Sequence, residues 1–233
     1  MIIIVDYGMG NLHSVKRAIQ YVAPNIDVRI SSNALDIQKA SHIILPGQGG
    51  MADCMKALND SNLKQSLLDT ILNKKTPTLG ICVGMQMLFE QSEEGRKDEH
   101  GNVIPSLGLG ILEGKIKRFS KQDIPNHNLE NNDVYKVPHM GWNTIKNQSN
   151  LLASSKSYPN IWQNIANDSH FYFIHSYYLP LNQQTKKYAI ATCEYGVDFV
   201  CAVAHENIIA TQFHPEKSAD SGLQLYRNFI NLA

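Results

Sequence analysis

A chain of 233 residues, 43% hydrophobic and 18% charged, has the balance of an ordinary globular protein and the length for one domain with a substantial core. Its 21 basic and 21 acidic residues cancel to zero net charge, and without a basic surplus to neutralise phosphates no nucleic-acid partner is expected. No apolar run approaches the roughly 20 residues that span a bilayer, so no membrane partner is expected either.

The N-terminus, Met1–Asp6, lacks the basic and apolar regions of a secretory signal and reads as a strand over Ile2–Val5. Apolar positions at helical spacing (Leu12, Val15, Ala18, Ile19, Val22) predict a helix over Leu12–Val22. Strands are expected at Ile26–Ile30 and His42–Leu45, and a helix over Met51–Leu72 broken near Asn59–Asn62. A fourth strand is expected at Thr76–Ile81, followed by a helix from Val83 to Phe89. Such alternation implies an α/β fold with a mostly parallel central sheet flanked by helices.

Beyond Glu90 the texture changes. Gln91–Asn102, Ser120–Asn132 and Gln148–Asp168 are polar and read as loops. Between and after them, strands are predicted at Lys115–Phe119, Phe171–His175, Tyr188–Cys193, Phe199–Ala204 and Ile208–Gln212. Their close spacing predicts antiparallel strands added to the parallel sheet in the second half. Leu223–Leu232 closes the chain as an amphipathic helix. No repeat or linker divides the sequence, so residues 1–233 read as a single domain.

Four cysteines (Cys54, Cys82, Cys193, Cys201) are scattered without C-x-x-C spacing. This argues against a zinc site or a disulfide framework and fits a reducing cytoplasm. One of them has a distinctive setting. Gly80-Ile81-Cys82-Val83-Gly84 joins a predicted strand to a predicted helix and matches the G-x-S-x-G nucleophile elbow, with sulfur in place of oxygen. Glycines two residues to either side relieve crowding at a strained turn. The turn would also aim the Val83 N–H and the helix N-terminus at the thiol. The pentapeptide alone is equally consistent with a buried structural cysteine between packing glycines, which is the reading for Cys54, Cys193 and Cys201.

Phe213-His214-Pro215-Glu216-Lys217-Ser218 follows the apolar run Ile208-Ile209-Ala210. In an extended segment, His214 and Glu216 fall on one side and Phe213 on the other. A carboxylate two residues away can orient a histidine as general base, although such pairs are often surface ion pairs. His139 and His175 sit in apolar contexts and read as core or pocket-wall histidines. The remaining six show no supporting partner. Pro46-Gly47-Gln48-Gly49-Gly50 follows a strand, but lacks the Lys-Ser/Thr of a Walker motif and does not complete G-x-G-x-x-G. Its free backbone N–H groups could instead line an oxyanion hole.

Gly-Ile-Cys82-Val-Gly-Met-Gln86, the Pro46–Gly49 loop and Phe213–Ser218 together resemble the class I glutamine amidotransferases. Pro138-His139-Met140-Gly141-Trp142-Asn143 and Phe171–Tyr177 narrow the resemblance to the glutaminase subunits of imidazole glycerol phosphate synthase. It covers nearly the whole chain, from Asp6-Tyr7-Gly8-Met9-Gly10-Asn11 to the last helix. Gln48 stands where many members carry valine, and the polar stretches 120–132 and 148–168 look longer than usual for the family.

The resemblance implies a flavodoxin-like amidotransferase domain that hydrolyses L-glutamine through a Cys82–His214–Glu216 triad, with no metal and no cofactor. It further implies backbone donors to an oxyanion from Val83 and from Gly47, Gln48 and Gly49. Gln86, Ser176 and Tyr177 would hold the α-amino and α-carboxylate ends of glutamine. Asn11 and Lys217 would lie toward a (β/α)8-barrel cyclase subunit that forms a heterodimer with the chain and consumes the ammonia. A paralogous glutaminase serving another acceptor, such as a surface-sugar amination enzyme, carries the same motifs.

Overall fold

The computed structural model describes residues 1–97, 99–100, 103–120, 136–147 and 160–232. Strand β1 (Ile2–Val5) leads into helix α1 (Leu12–Val22), β2 (Val28–Ser31) into α2 (Ala34–Lys39), and β3 (His42–Gly47) into α3 (Met51–Asp60). Next come α4 (Lys64–Leu68), a π-helical turn over Asp69–Asn73, β4 (Thr78–Cys82) and the one-turn helix α5 (Val83–Gln86). The expected break near Asn59–Asn62 is thus present. Every residue of β1, β3 and β4 is buried, as in parallel strands covered on both faces. Helix α1 turns Val15 and Ile19 inward. Helix α2 has no counterpart in the sequence reading. At six residues it is too short to show a period, and it starts where the Asn33 side chain accepts from the Leu35 N–H at 2.8 Å, a side-chain cap.

The second half is richer in strands than the sequence indicates. It contains β5 (Phe89–Lys97), β6 (Val103–Leu107), β7 (Leu112–Arg118), β8 (His139–Thr144), β9 (Lys146–Asn147) and β10 (His170–His175). There follow β11 (Tyr177–Pro180), β12 (Ala189–Glu194), β13 (Asp198–His205) and β14 (Ile208–Thr211), a 3₁₀ turn at Pro215–Lys217, and α6 (Ala219–Ile230). Gln91–Asn102, expected to be a loop, is strand through Lys97. Pairing of β5 with β6 and β7 satisfies its backbone, while its polar side chains leave no apolar alternation to announce it. The helix expected to reach Phe89 stops at Gln86, because Phe89 already pairs with Leu112. Of the polar stretches, residues 121–132 and 148–159 lie outside the described residues. Residues 161–164 and 167–168 form turns that bury Ile161 and Trp162, and Trp162 Nε1 donates to the Ile190 carbonyl at 3.1 Å.

Among the described residues, twelve strands form one mixed sheet, in the order β2-β1-β3-β4-β14-β13-β11-β7-β5-β6, with β12 and β9 branching from β13. The first five of these run parallel, and β13 begins the antiparallel extension. Strands β8 and β10 pair antiparallel as a separate two-stranded sheet, rather than joining the main one. In open parallel sheets ligands bind beyond the carboxyl ends of the strands. Here those ends are Asp6-Tyr7 after β1, Pro46-Gly47 at β3, Cys82 at β4 and Gln212–His214 after β14. No helix among the described residues is long and apolar enough to cross a membrane.

Candidate active site

Cys82 is the last residue of β4 and takes φ +54°, ψ −110°, a conformation that costs a non-glycine residue energy and that persists at functional turns. Its two neighbouring strands explain the glycines around it. Gly47 pairs with Cys82 across β3 and β4, and a Cβ on Gly47 would lie 2.5 Å from the Gly84 nitrogen. A Cβ on Gly84 would in turn meet the Leu45 carbonyl oxygen at 2.0 Å. The loop after β3 therefore rests directly on the turn that carries the sulfur, at a separation only paired glycines allow.

That loop is held from three sides. Tyr7 Oη donates to the Pro46 carbonyl at 2.6 Å, Cys54 Sγ donates to the Gln48 carbonyl at 3.3 Å, and the Met51 N–H donates to the Glu94 carboxylate. Gly49 has φ +82°, in the region open to glycine.

His214 follows β14. Its N–H donates to the Tyr172 carbonyl at 3.0 Å, its carbonyl accepts from Ser218 Oγ at 2.6 Å, and the Tyr172 N–H donates to the same Ser218 Oγ at 3.0 Å. These bonds tie the histidine turn to β10. His214 Nδ1 stands 2.7 Å from Glu216 Oε1, with both side chains buried. The convergence is as expected, but its origin is not strand alternation: Pro215–Lys217 is a 3₁₀ turn with Pro215 at its first position, where a missing N–H costs nothing. Burial opposes the imidazolium, yet the charge and hydrogen bond of Cys82, joined by Glu216, raise its pKa to about 10. Sulfur, imidazole and carboxylate form one line of interacting groups.

Cys82 and His214 border a cavity of about 360 Å³, within the range of small-molecule sites. Of the residues singled out from the sequence, Asn11, Gln48, Gly49, Cys82, Val83 and Gln86 line it, as do Ser176, Tyr177, His214 and Lys217. Glu216 stands behind His214, and Gly47 beneath the elbow. The cavity wall also includes Glu94, Pro138, Ile174 and His175. Glu94 lay in a stretch read as exposed loop; burial raises its pKa. Among the described residues, no group of three or more His, Cys, Asp or Glu is placed to hold a metal ion.

The most informative residue missed in the sequence is Gln212. Ile81 pairs with Thr211, so the next residues, Cys82 and Gln212, emerge side by side. Gln212 is fully buried. Its Nε2 donates to Cys82 Sγ at 3.6 Å and its Oε1 accepts from Gln86 Nε2 at 3.0 Å. Gln86 Nε2 also donates to the Tyr177 carbonyl at 3.1 Å. That carbonyl ends a further chain. His175 Nδ1 lies 2.8 Å from it, so Nδ1 carries the proton and Nε2 accepts from His139 Nδ1 at 3.0 Å. His139 Nε2 accepts from Asn143 Nδ2 at 3.3 Å. Burial keeps both rings neutral, lowering His139 to about 4 and His175, with help from His139, to about 3. His175 lines the cavity and His139 is buried against it, one a pocket-wall and the other a core histidine, within the alternatives the sequence indicates.

The class-I glutamine amidotransferase family model matches residues 3–232. The chain is 44% identical to the imidazole glycerol phosphate synthase subunit HisH of Nitrosospira multiformis, over 98% of this chain and 96% of that protein. It is 40% identical to the HisH subunit of Neisseria meningitidis, over 98% of each. In fold it resembles a crystal structure of a glutamine amidotransferase, with TM-score 0.64 and 15% identity over 99% of this chain and 97% of that one. It also resembles the glutaminase domain of Trypanosoma brucei CTPS with bound acivicin, with TM-score 0.59 and 15% identity over 100% and 94%. The chain belongs to the class-I glutamine amidotransferase family.

Proposed function

We propose that this chain, as one domain over residues 1–233, is the glutaminase subunit of an imidazole glycerol phosphate synthase, acting in the cytoplasm on L-glutamine. The observation that carries the reading is that Cys82 at the end of β4 and His214 in the turn after β14 face one cavity, with Glu216 of the same turn on the imidazole. The HisH relatives, alike over nearly their full length, name the synthase.

The chemistry follows from the charges. Cys82 thiolate attacks the side-chain amide carbon of glutamine, and the oxyanion is met by backbone N–H groups of Val83 and the Gly47–Gly49 loop. Losing one such donor commonly costs about 3–4 kcal/mol of barrier. His214 gives its proton to the departing nitrogen, so ammonia leaves and a γ-glutamyl thioester remains on Cys82. Acylation removes the sulfur's negative charge, one of the causes that raise the His214 pKa. The imidazole then takes a proton from water, the resulting hydroxide opens the thioester, and glutamate leaves. Gln86, whose N–H groups are engaged within the protein, offers its carbonyl oxygen to the α-amino group, while Ser176 and Tyr177 meet the α-carboxylate.

The ammonia passes to a (β/α)8-barrel cyclase in a heterodimer. Support comes from the surface beside the cavity mouth. Met140, Trp142 and Ile174 are exposed there on β8 and β10, Ile174 and Lys217 line the mouth, and exposed apolar groups so gathered mark a protein contact. Asn11, also at the mouth, faces the same partner. Glutamate release measured with and without the cyclase tests this reading: acceleration is expected, and equal rates overturn the coupling. Labelling of Cys82 by a glutamine-like electrophile, blocked by glutamine, tests the nucleophile.

A further inference from the structure

Two buried polar atoms among the described residues lack a well-formed hydrogen bond, Glu216 Oε2 and Tyr226 Oη. They belong to one neighbourhood. A Cβ on Gly222 of α6 would lie 1.9 Å from the Pro215 carbonyl oxygen, so α6 presses its backbone onto the turn that carries Glu216. Tyr226 is one helical turn farther along, on the same face as Gly222, and is fully buried.

We propose that Tyr226 is a positioning residue of the triad, its phenol donating to Glu216 Oε2 and fixing the carboxylate that orients His214. The proposal rests on the glutaminase reading of that triad. A carboxylate with 1% of its side chain exposed and a single partner on one oxygen is poorly compensated. A phenol is the donor that could supply the second. Burial, with the charge of Glu216 nearby, pushes the Tyr226 pKa well up, so the hydroxyl keeps its proton and remains a donor. Phenylalanine would fill the same space on α6, beside Leu225 and Phe229. The hydroxyl therefore needs a use, and Glu216 provides it.

The consequence is specific. With the phenol in place, the carboxylate is held at both oxygens and its Oε1 stays aimed at His214 Nδ1. Without it, Oε2 is left buried with no donor, and the carboxylate is free to turn away from His214.

The test compares wild type, Tyr226→Phe, Glu216→Gln and the double variant, in glutamate release with the cyclase present, at pH 7. For Tyr226→Phe the expectation is a kcat about 3- to 10-fold lower with a KM within about twofold. In the Glu216→Gln background the tyrosine change is expected to add no further loss. A wild-type kcat in Tyr226→Phe, beside an inactive Glu216→Gln, would overturn the tyrosine proposal alone. Wild-type activity in Glu216→Gln would overturn the triad reading beneath it. Should Tyr226→Phe not fold, the hydroxyl proton of Tyr226, followed by NMR in tyrosine-labelled wild type and Glu216→Gln, decides. A resonance lost or moved in the variant supports the bond, and an unchanged one overturns it.

Discussion

Gln212 Nε2 lies 3.6 Å from Cys82 Sγ, and the same carboxamide accepts from Gln86 at 3.0 Å. One side chain therefore touches both the proposed nucleophile and the group proposed to hold the substrate. A neutral donor beside the sulfur holds it in position for attack without adding a charge. Replacing Gln212 with leucine removes the donor and is expected to slow iodoacetamide alkylation of Cys82 at pH 7 by about 10-fold. Gln212→Glu is expected to slow it further, because a second anion faces the sulfur. Wild-type alkylation rates in both variants would remove Gln212 from this role.

The elbow makes a separate claim on backbone space. With a Cβ on Gly84 only 2.0 Å from the Leu45 carbonyl oxygen, Gly84→Ala requires strand β3 or the elbow to move. Overpacking of this kind costs about 3 kcal/mol, which for a chain of this size lowers Tm by roughly 6–12 °C. Thermal denaturation checks the first part and glutamate release the second. A variant with wild-type Tm and activity would show that Gly47 and Gly84 are not in obligatory contact.

How much of this was legible beforehand depends on the range of each signal. Cys82 between Gly80 and Gly84 is a local pattern with a local steric cause, and the strand-to-helix turn lies where the sequence puts it. His214 and Glu216 also read correctly as a pair, although a 3₁₀ turn begun by Pro215 brings them together where alternation along a strand was expected. Gln212 was passed over because its importance arises from the register of β14 against β4, a contact between residues 130 positions apart. Strands β5 and β6 were missed for a related reason. The charged and polar side chains of β5 carry no periodic apolar signal, and β6 at the sheet edge is five residues long with Pro105 inside it, so only pairing reveals them. Tyr226 carries no sequence signal beyond its place in the closing amphipathic helix, because its neighbour Glu216 is brought to it by the packing of α6 on the turn.

The buried His139–His175 pair sets a pH dependence whose sign is fixed by the direction of the shifts. Both rings are held below the ordinary histidine value, at about 4 and about 3. Between about pH 6.5 and those values the unfolded chain binds protons that the folded chain does not, so stability falls as the pH falls. The limiting slope is about 1.4 kcal/mol per pH unit for each ring. His214 runs the other way: its contribution is complete below about pH 6.5 and is lost as pH rises through about 10. Urea denaturation from pH 7 to 4.5 is expected to show a midpoint that declines with acidity. The decline should be shallower in His139→Gln, which removes one of the two titrating rings. A decline equally steep in that variant would assign it to other groups.

Trp142 offers the sharpest test of the partner surface. It is 53% exposed on β8, its ring meets Tyr172 edge-on at 6.1 Å, and Lys217 Nζ stands 5.7 Å from the centre of that tyrosine ring. This places an exposed indole, a half-buried phenol ring and an ammonium side by side at the mouth of the cavity that holds Cys82. Large aromatic side chains at the centre of an interface commonly contribute 2 kcal/mol or more. Trp142→Ala is therefore expected to weaken binding to the barrel cyclase by roughly 30-fold or more. Because an exposed side chain contributes little to the core, Tm should stay within about 2 °C. The two sites are also separable: alkylation of Cys82 in the isolated variant should match wild type, since Trp142 does not reach the sulfur. Calorimetric titration reads the affinity, and an unchanged Kd would show that the cyclase docks elsewhere, leaving the exposed face of β8 and β10 without the role assigned to it.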